Sequence, residues 1–436
     1  MESLFEKASA VARHTSPFEL RGAVNDMTGL VIEGSGPFVP VGSHVTVRSG
    51  TQEIPAQVVG FKRDKILLMP FGEVQGISPG ASIVANEGNT DVFVSEQLLG
   101  RVIDALGNPI DGKPLPVMQE TTPLYRDPPN PVTRTRIHEC FDLGVRAMNG
   151  LLTVGQGQRV AIMAGSGVGK STLLGMISKH STSDINVIGL VGERGREVRE
   201  FIERDLGPEG LARTVVVVAT GNQSALLRIR AAFLATAIAE FFRDKGKKVV
   251  LMVDSITRLA MAQREVGLAI GEPPSTRGYT PSVFSMLPRL LERAGTSDGP
   301  GSITGLYTVL VEGDDMNEPV ADTVRGILDG HVVLSRKMAG RGHYPAIEVL
   351  QSVSRVMSDI VPPELIKIAS EIRDIISTYQ DAEDLITIGA YKPGQNKRVD
   401  TAIEKIERVN QFLKQGSGEK STIEETWKMM VDIVRK

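Results

Sequence analysis

The sequence lacks any apolar run near the roughly 18 residues that a membrane-spanning helix needs, and residues 1–14 lack the basic-then-apolar order of a signal peptide. Neither membrane insertion nor secretion is expected, and the expected location is the cytoplasm. Cysteine is almost missing too. A lone Cys140 cannot close an internal disulfide, which fits a reducing compartment, and it is expected as a small buried hydrophobe. Positive charge is not in excess: 49 Lys and Arg against 52 Asp and Glu give a formal net charge of -3. A surface organised around phosphate backbones needs the opposite balance, so nucleic acid is not an expected partner. The six histidines show no metal-ligand spacing, and HExxH, CxxC and nucleophile-elbow patterns are all absent. Internal repeats and low-complexity tracts are absent as well.

What is present reads as a folded, multidomain chain. Hydrophobic residues at 41% and charged residues at 23% are globular values, and 436 residues exceed what one small core organises. Leu4, Phe5, Ala8 and Val11 recur at helical spacing and predict a short amphipathic N-terminal helix. From Leu20 to Ala85, short β-branched runs cut by Gly and Pro predict a small antiparallel barrel or sandwich. Residues 87–131, rich in Gly, Pro, Asn and Asp, read mainly as a connection. Between Arg134 and Val356, the runs RVAIMA, INVIGLV, TVVVVAT, KVVLMVD and SITGLYTVLV alternate with amphipathic stretches such as 225–243 and 282–294. Strands apolar on both faces alternating with helices imply a largely parallel, doubly covered sheet. After Pro362 only helical periodicity remains, at 364–379, 399–414 and 422–434.

The strongest chemical signal is AGSGVGKST, Ala164–Thr172, directly after RVAIM and opening a helical stretch. A strand, a glycine-rich turn, Lys, Ser and a helix in that order form a P-loop. Its backbone N–H groups, from Gly165, Ser166, Gly167, Val168, Gly169, Lys170, Ser171 and Thr172, surround phosphate oxygens, helped by the helix N-terminus. Lys170 then reaches the β- and γ-phosphates, and the Ser171 hydroxyl ligates Mg²⁺. Ala164 stands where glycine is usual, which a negative φ would tolerate. In KKVVLMVDS, Asp254 ends an apolar strand, as a Mg²⁺-site carboxylate must; the plainer alternative is a helix cap. In GERGREV, Glu193 is the candidate that polarises the attacking water, with Arg194 facing developing phosphate charge and Glu197 one turn further on. The competing reading is a solvated loop of alternating charge. Arg258, Arg336 and Arg355 all stand at ends of apparent elements, and any of them could serve as an arginine finger. The Gly- and Pro-rich segment 271–284 reads as a protruding loop.

Together with LLGRVIDALGNPIDG (98–112), FDLGVRAMNGLLTVGQGQR (141–159), DSITRLAMAQREVGLAIGEPP, VLVEGDDMNEPVADTVRGILDGHVVLSR and IGAYKPG (388–394), these motifs run over essentially the whole chain. They resemble the catalytic subunits of rotary F- and V-type ATPases and, more closely, the type III protein export ATPases. AGSGVGKS is similar to the flagellar form. The resemblance implies an α/β fold with a RecA-like P-loop core, an N-terminal small β-barrel and a C-terminal helical domain. The expected division is 1–18 N-terminal segment, 19–95 barrel, 96–360 RecA-like domain with its leading linker, and 361–436 helical domain. It implies ATP or ADP with Mg²⁺ as ligands, Glu193 as catalytic glutamate, Arg194 beside it, and Asp254 at the metal. It also implies Arg355 as the residue reaching the adjacent subunit's nucleotide and Tyr344 as the aromatic against adenine. The implied assembly is a homohexameric ring whose pore loops at 271–284 meet a coiled-coil stalk protein. Further implied partners are a stator-like regulator at the N-terminus, a membrane export gate, and export substrates with their chaperones. The rival readings are an injectisome-type secretion ATPase, a rotary ATPase subunit, a RecA-like nucleic-acid translocase and a non-hydrolysing scaffold.

Overall fold

The computed structural model of the chain describes residues 19–86, 91–118, 120–311, 313 and 315–435. The helix expected within residues 1–18 lies outside the described residues. Six strands, β1 (Arg21–Thr28), β2 (Val31–Ser35), β3 (His44–Ser49), β4 (Gln52–Lys62), β5 (Lys65–Pro70) and β6 (Ser82–Ala85), close into a barrel ordered β1-β2-β5-β4-β3-β6. Period-two patterning drives this: on β3, Val45 and Val47 are buried while Arg48 is exposed. The inward residues, including Ile32, Val58, Ile66, Leu68 and Ile83, form a separate core, and closure leaves no free edge.

The stretch read as a connection contributes more than linkage. It holds β7 (Asp91–Val94) and β9 (Glu120–Pro123), which pair with each other, and β8 (Val102–Asp104), which joins the main sheet beside the strand Thr214–Thr220. Three or four residues are too few to show a period, so sequence patterning missed them.

The central sheet has nine strands. All five expected strands are there, as β10 (Arg159–Ala164), β11 (Ile185–Glu193), β12 (Thr214–Thr220), β13 (Lys248–Asp254) and β15 (Ser302–Leu310). The short β14 (Gly295–Thr296), β16 (Gly330–Leu334) and β17 (Val353–Ser354) extend it, giving the order β17-β16-β10-β15-β13-β11-β12-β8 with β14 beside β15. β14 and β17 run antiparallel, and the other strands run parallel. The connection from β10 to β11 passes over β15 and β13. The chain therefore splits its connections around this point and leaves a crevice outside the strands' carboxyl ends.

Helices Ala225–Asp244 and Ile256–Ala269 pack on this sheet. Beneath them, Arg293 meets Glu240 in a two-pronged ion pair, Nε to Oε1 at 3.0 Å and Nη2 to Oε2 at 2.5 Å, with side chains 1% and 0% exposed. Removing one member leaves a desolvated charge. Arg293→Ala should cost about 3–5 kcal/mol of unfolding free energy in denaturant melts, whereas Arg199→Ala, in an exposed i,i+4 pair, should cost under about 1 kcal/mol. Equal effects would refute this.

The C-terminal helices Pro363–Thr387, Lys397–Leu413 and Ile423–Arg435 match the three expected stretches. They dock on the short helix Arg146–Leu151, which gives a physical role to the LGVRAMN block. Arg146 is buried, its Nε donates to the Phe412 carbonyl at 2.8 Å, and its backbone N–H donates to Gln415 at 2.8 Å. IGAYKPG forms the turn between the first two of these helices, with the Tyr391 hydroxyl 2.9 Å from the Asp400 carboxylate. Cys140 departs from expectation. It is half-buried, and its thiol donates to the Ile360 carbonyl at 3.3 Å, because it lies on an irregular segment at the surface of this junction.

Candidate active site

The site grows out of the end of β10. Ala164 is the last residue of that strand, 1% exposed and laddered to Leu310 and Leu334, so its backbone needs no glycine. The turn that follows does: Gly167 and Gly169 sit at φ 76° and 90°, where a side chain would strain the backbone. Gly169 opens the helix Lys170–His180, whose free N–H groups and dipole face the crevice.

Lys170 is held between two carboxylates delivered by other strand ends. Its Nζ lies 2.5 Å from Asp254 Oδ1, at the end of β13, and 3.6 Å from Glu193 Oε1, at the end of β11. Burial alone would lower the lysine pKa, but the neighbouring Asp254 and Glu193 charges overcome it and raise it, so the ammonium is firmly charged. Asp254 also accepts from the Thr308 hydroxyl at 2.6 Å. Sequence reasoning overlooked Thr308; the signal was a polar residue inside the apolar run of β15. The helix after Asp254 is capped by Ser255, whose hydroxyl accepts from the Arg258 N–H, so Asp254 is not the cap.

Glu193 is 8% exposed and not part of a solvated charge loop. Its Oε1 is buried without a hydrogen-bond donor, though 3.4 Å from Arg258 Nε. Burial pushes its pKa up to about 7, with Asp254 adding to the rise and Lys170 and Arg258 opposing it. An unsatisfied, weakly acidic carboxylate facing a cleft is suited to polarise a water.

The structure separates the remaining arginines. Arg258 and Arg336 line this same cleft of about 630 Å³, together with the P-loop, Glu193, Glu197 and Arg194. Arg194 stands at the mouth, 78% exposed and bonded to Glu197 at 3.1 Å, away from the Lys170 cluster. Glu197 belongs to the helix Gly195–Glu200. Arg355 is not at this cleft; it is exposed and donates to the Arg325 carbonyl at 3.2 Å. The Tyr344 ring packs over the loop, 3.3 Å from where a Cβ on Gly169 would lie. The 271–284 segment is a loop only as far as Thr280, where the helix Pro281–Leu291 begins; Glu272 accepts from the Ser282 backbone at 2.7 Å, and Arg277 pairs with Asp315 at 2.9 Å.

The ATP synthase alpha/beta family nucleotide-binding domain matches residues 144–354, and the T3SS EscN ATPase C-terminal domain matches residues 361–432. The chain is 55% identical over 415 residues to the flagellum-specific ATP synthase of Bacillus subtilis, covering 94% of each. Among solved structures, the assembled ATPase EscN of the enteropathogenic E. coli type III secretion system superposes with a TM-score of 0.90 at 44% identity, covering 95% of this chain and 100% of that one. EscN in complex with its central stalk EscO gives 0.88 at 43% identity, with the same coverage.

This chain belongs to the type III secretion ATPases. It has the RecA-like core, N-terminal barrel and C-terminal helical region of that family, and it is an ATP hydrolase. The residues of the cluster just described fit a nucleotide. The glycine turn and helix N-terminus suit phosphate, and Glu193 Oε1 is an acceptor without a hydrogen-bond donor. Among the described residues no group of three or more His, Cys, Asp or Glu could cage a metal. Ser171, in the first turn of the helix Lys170–His180, and Asp254, at the end of β13, supply oxygen donors of the hard kind that suits a divalent cation shared with a nucleotide.

Proposed function

We propose that this ATPase hydrolyses Mg-ATP in a homohexameric ring and so energises export of flagellar proteins through the type III secretion apparatus, from the cytoplasmic side of the membrane. The single observation that carries this is Lys170 gripped by Asp254 and Glu193 at the head of a glycine turn. In this reading the loop 165–172 and Lys170 bind the triphosphate, and Ser171 and Asp254 hold Mg²⁺, which neutralises phosphate charge. Glu193 orients the attacking water, and Tyr344 packs on adenine. The flagellar assignment draws on the higher identity to the B. subtilis flagellum-specific ATP synthase than to EscN. Turnover should require a divalent cation, vanishing with chelator and returning with added Mg²⁺; cation-independent hydrolysis would defeat the reading.

Ring assembly draws support from EscN, which forms an assembled ATPase and binds a central stalk. The 271–284 loop would face that stalk, and further contacts would include a stator-like regulator, an export gate, and substrates with chaperones. Arg355 fits the adjacent site because it is exposed and does not line its own cleft. Its guanidinium would stabilise transition-state charge across the subunit boundary. Arg355→Ala should lower kcat of the assembled ring at least about a hundredfold while leaving nucleotide binding by isolated chains intact. Wild-type specific activity should rise with protein concentration. An unchanged ring rate in the variant would reject this role.

A further inference from the structure

Gly165 carries an unexplained requirement. Its φ lies outside the left-handed region, so the backbone itself accepts a side chain. The obstacle is steric: a Cβ there would lie 2.6 Å from Arg336 Nε, 2.8 Å from its Nη2 and 3.1 Å from its Cζ. The Nε–Nη2 edge of the guanidinium therefore abuts the first residue of the phosphate-binding turn. Arg336 opens the short helix Arg336–Gly340, capped by the Ser335 hydroxyl. The same segment is anchored from behind, since Lys337 and Arg341 pair with Glu383 of the C-terminal helix Pro363–Thr387 at 3.5 and 2.9 Å. At its far end Tyr344 presses on Gly169. Residues 335–344 thus touch the phosphate turn at both ends and the helical region in between.

We propose that Arg336 is a positioning residue of its own subunit's nucleotide site, bracing the phosphate-binding turn through Gly165, and that Gly165 is small in order to admit it. This excludes Arg336 as a finger for a neighbour and rests on the nucleotide-site reading above. The guanidinium presents a rigid two-nitrogen edge to the backbone, which the ammonium of lysine, a single point charge, cannot replace.

The test is steady-state ATP kinetics with fluorescent-nucleotide titration on the full-length ring. Arg336→Gln should raise KM and weaken nucleotide binding about tenfold or more, with kcat changed less than about threefold, and Arg336→Lys should behave alike. Restoration by lysine would overturn the brace in favour of simple charge. Gly165→Ala should impair binding in the wild-type chain and much less in an Arg336→Ala background, because the clash is gone. An equal cost in both backgrounds would overturn the inference. Normal kinetics of Arg336→Gln beside an inactive Lys170→Ala would reject the brace while leaving the nucleotide site standing; an active Lys170→Ala would instead reject the site.

Discussion

Replacing Lys170 with alanine should reduce ATP turnover by at least about a thousandfold, as read by phosphate release from the purified ring. The size of the effect follows from where the ammonium sits. It is mostly buried, 2.5 Å from Asp254 and 3.6 Å from Glu193, and charged because those carboxylates hold its proton. Without it two carboxylates face one another in a poorly hydrated cleft, and one responds by protonating. In the proposed reading the γ-phosphate also loses its cation, and Glu193 is pushed further toward its neutral form. Residual turnover within tenfold of wild type would refute the central role of Lys170.

Glu193→Gln should be nearly as damaging to hydrolysis, again about a thousandfold, but should leave nucleotide affinity within a few-fold of wild type. Glutamine keeps the shape and can still point at a water, yet it cannot take up its proton. A parallel loss of binding and turnover would count against the assignment. The wild-type pH profile offers a second check. With the carboxyl titrating near 7 in the free enzyme, the active ionised form is depleted as pH falls, so kcat/KM should drop about tenfold per unit below pH 7. Stability runs the other way. The folded pKa is raised above the ordinary 4.5, so the fold favours the neutral carboxyl. That contribution is fully present below pH 4.5 and is lost as pH rises through about 7. The ligand-free Glu193→Gln variant should therefore melt no lower than wild type at pH 8, and higher if desolvation dominates.

The P-loop was legible because its meaning is local: a strand, a turn needing left-handed φ at Gly167 and Gly169, and a helix are consecutive in the chain. Asp254 and Glu193 were legible as acids closing apolar strands. Short strands such as β8 and β16 were not legible, because they owe their conformation to neighbours in the sheet. Thr308 gained its role only through register, being drawn alongside Asp254 by the β13–β15 ladder.

The sequence by itself determined the chemistry: a phosphate-binding turn with its lysine, two strand-end carboxylates, a five-strand α/β core and a helical C-terminus. The order of the arginines was decided only by the tertiary structure. Arg258, Arg336 and Arg355 look alike along the chain, but two fall in their own cleft and one on the outer surface. A guanidinium's role depends on what stands within a few ångströms of it. For residues tens to hundreds of positions apart, that proximity is set by strand order and packing, to which local sequence patterns are blind.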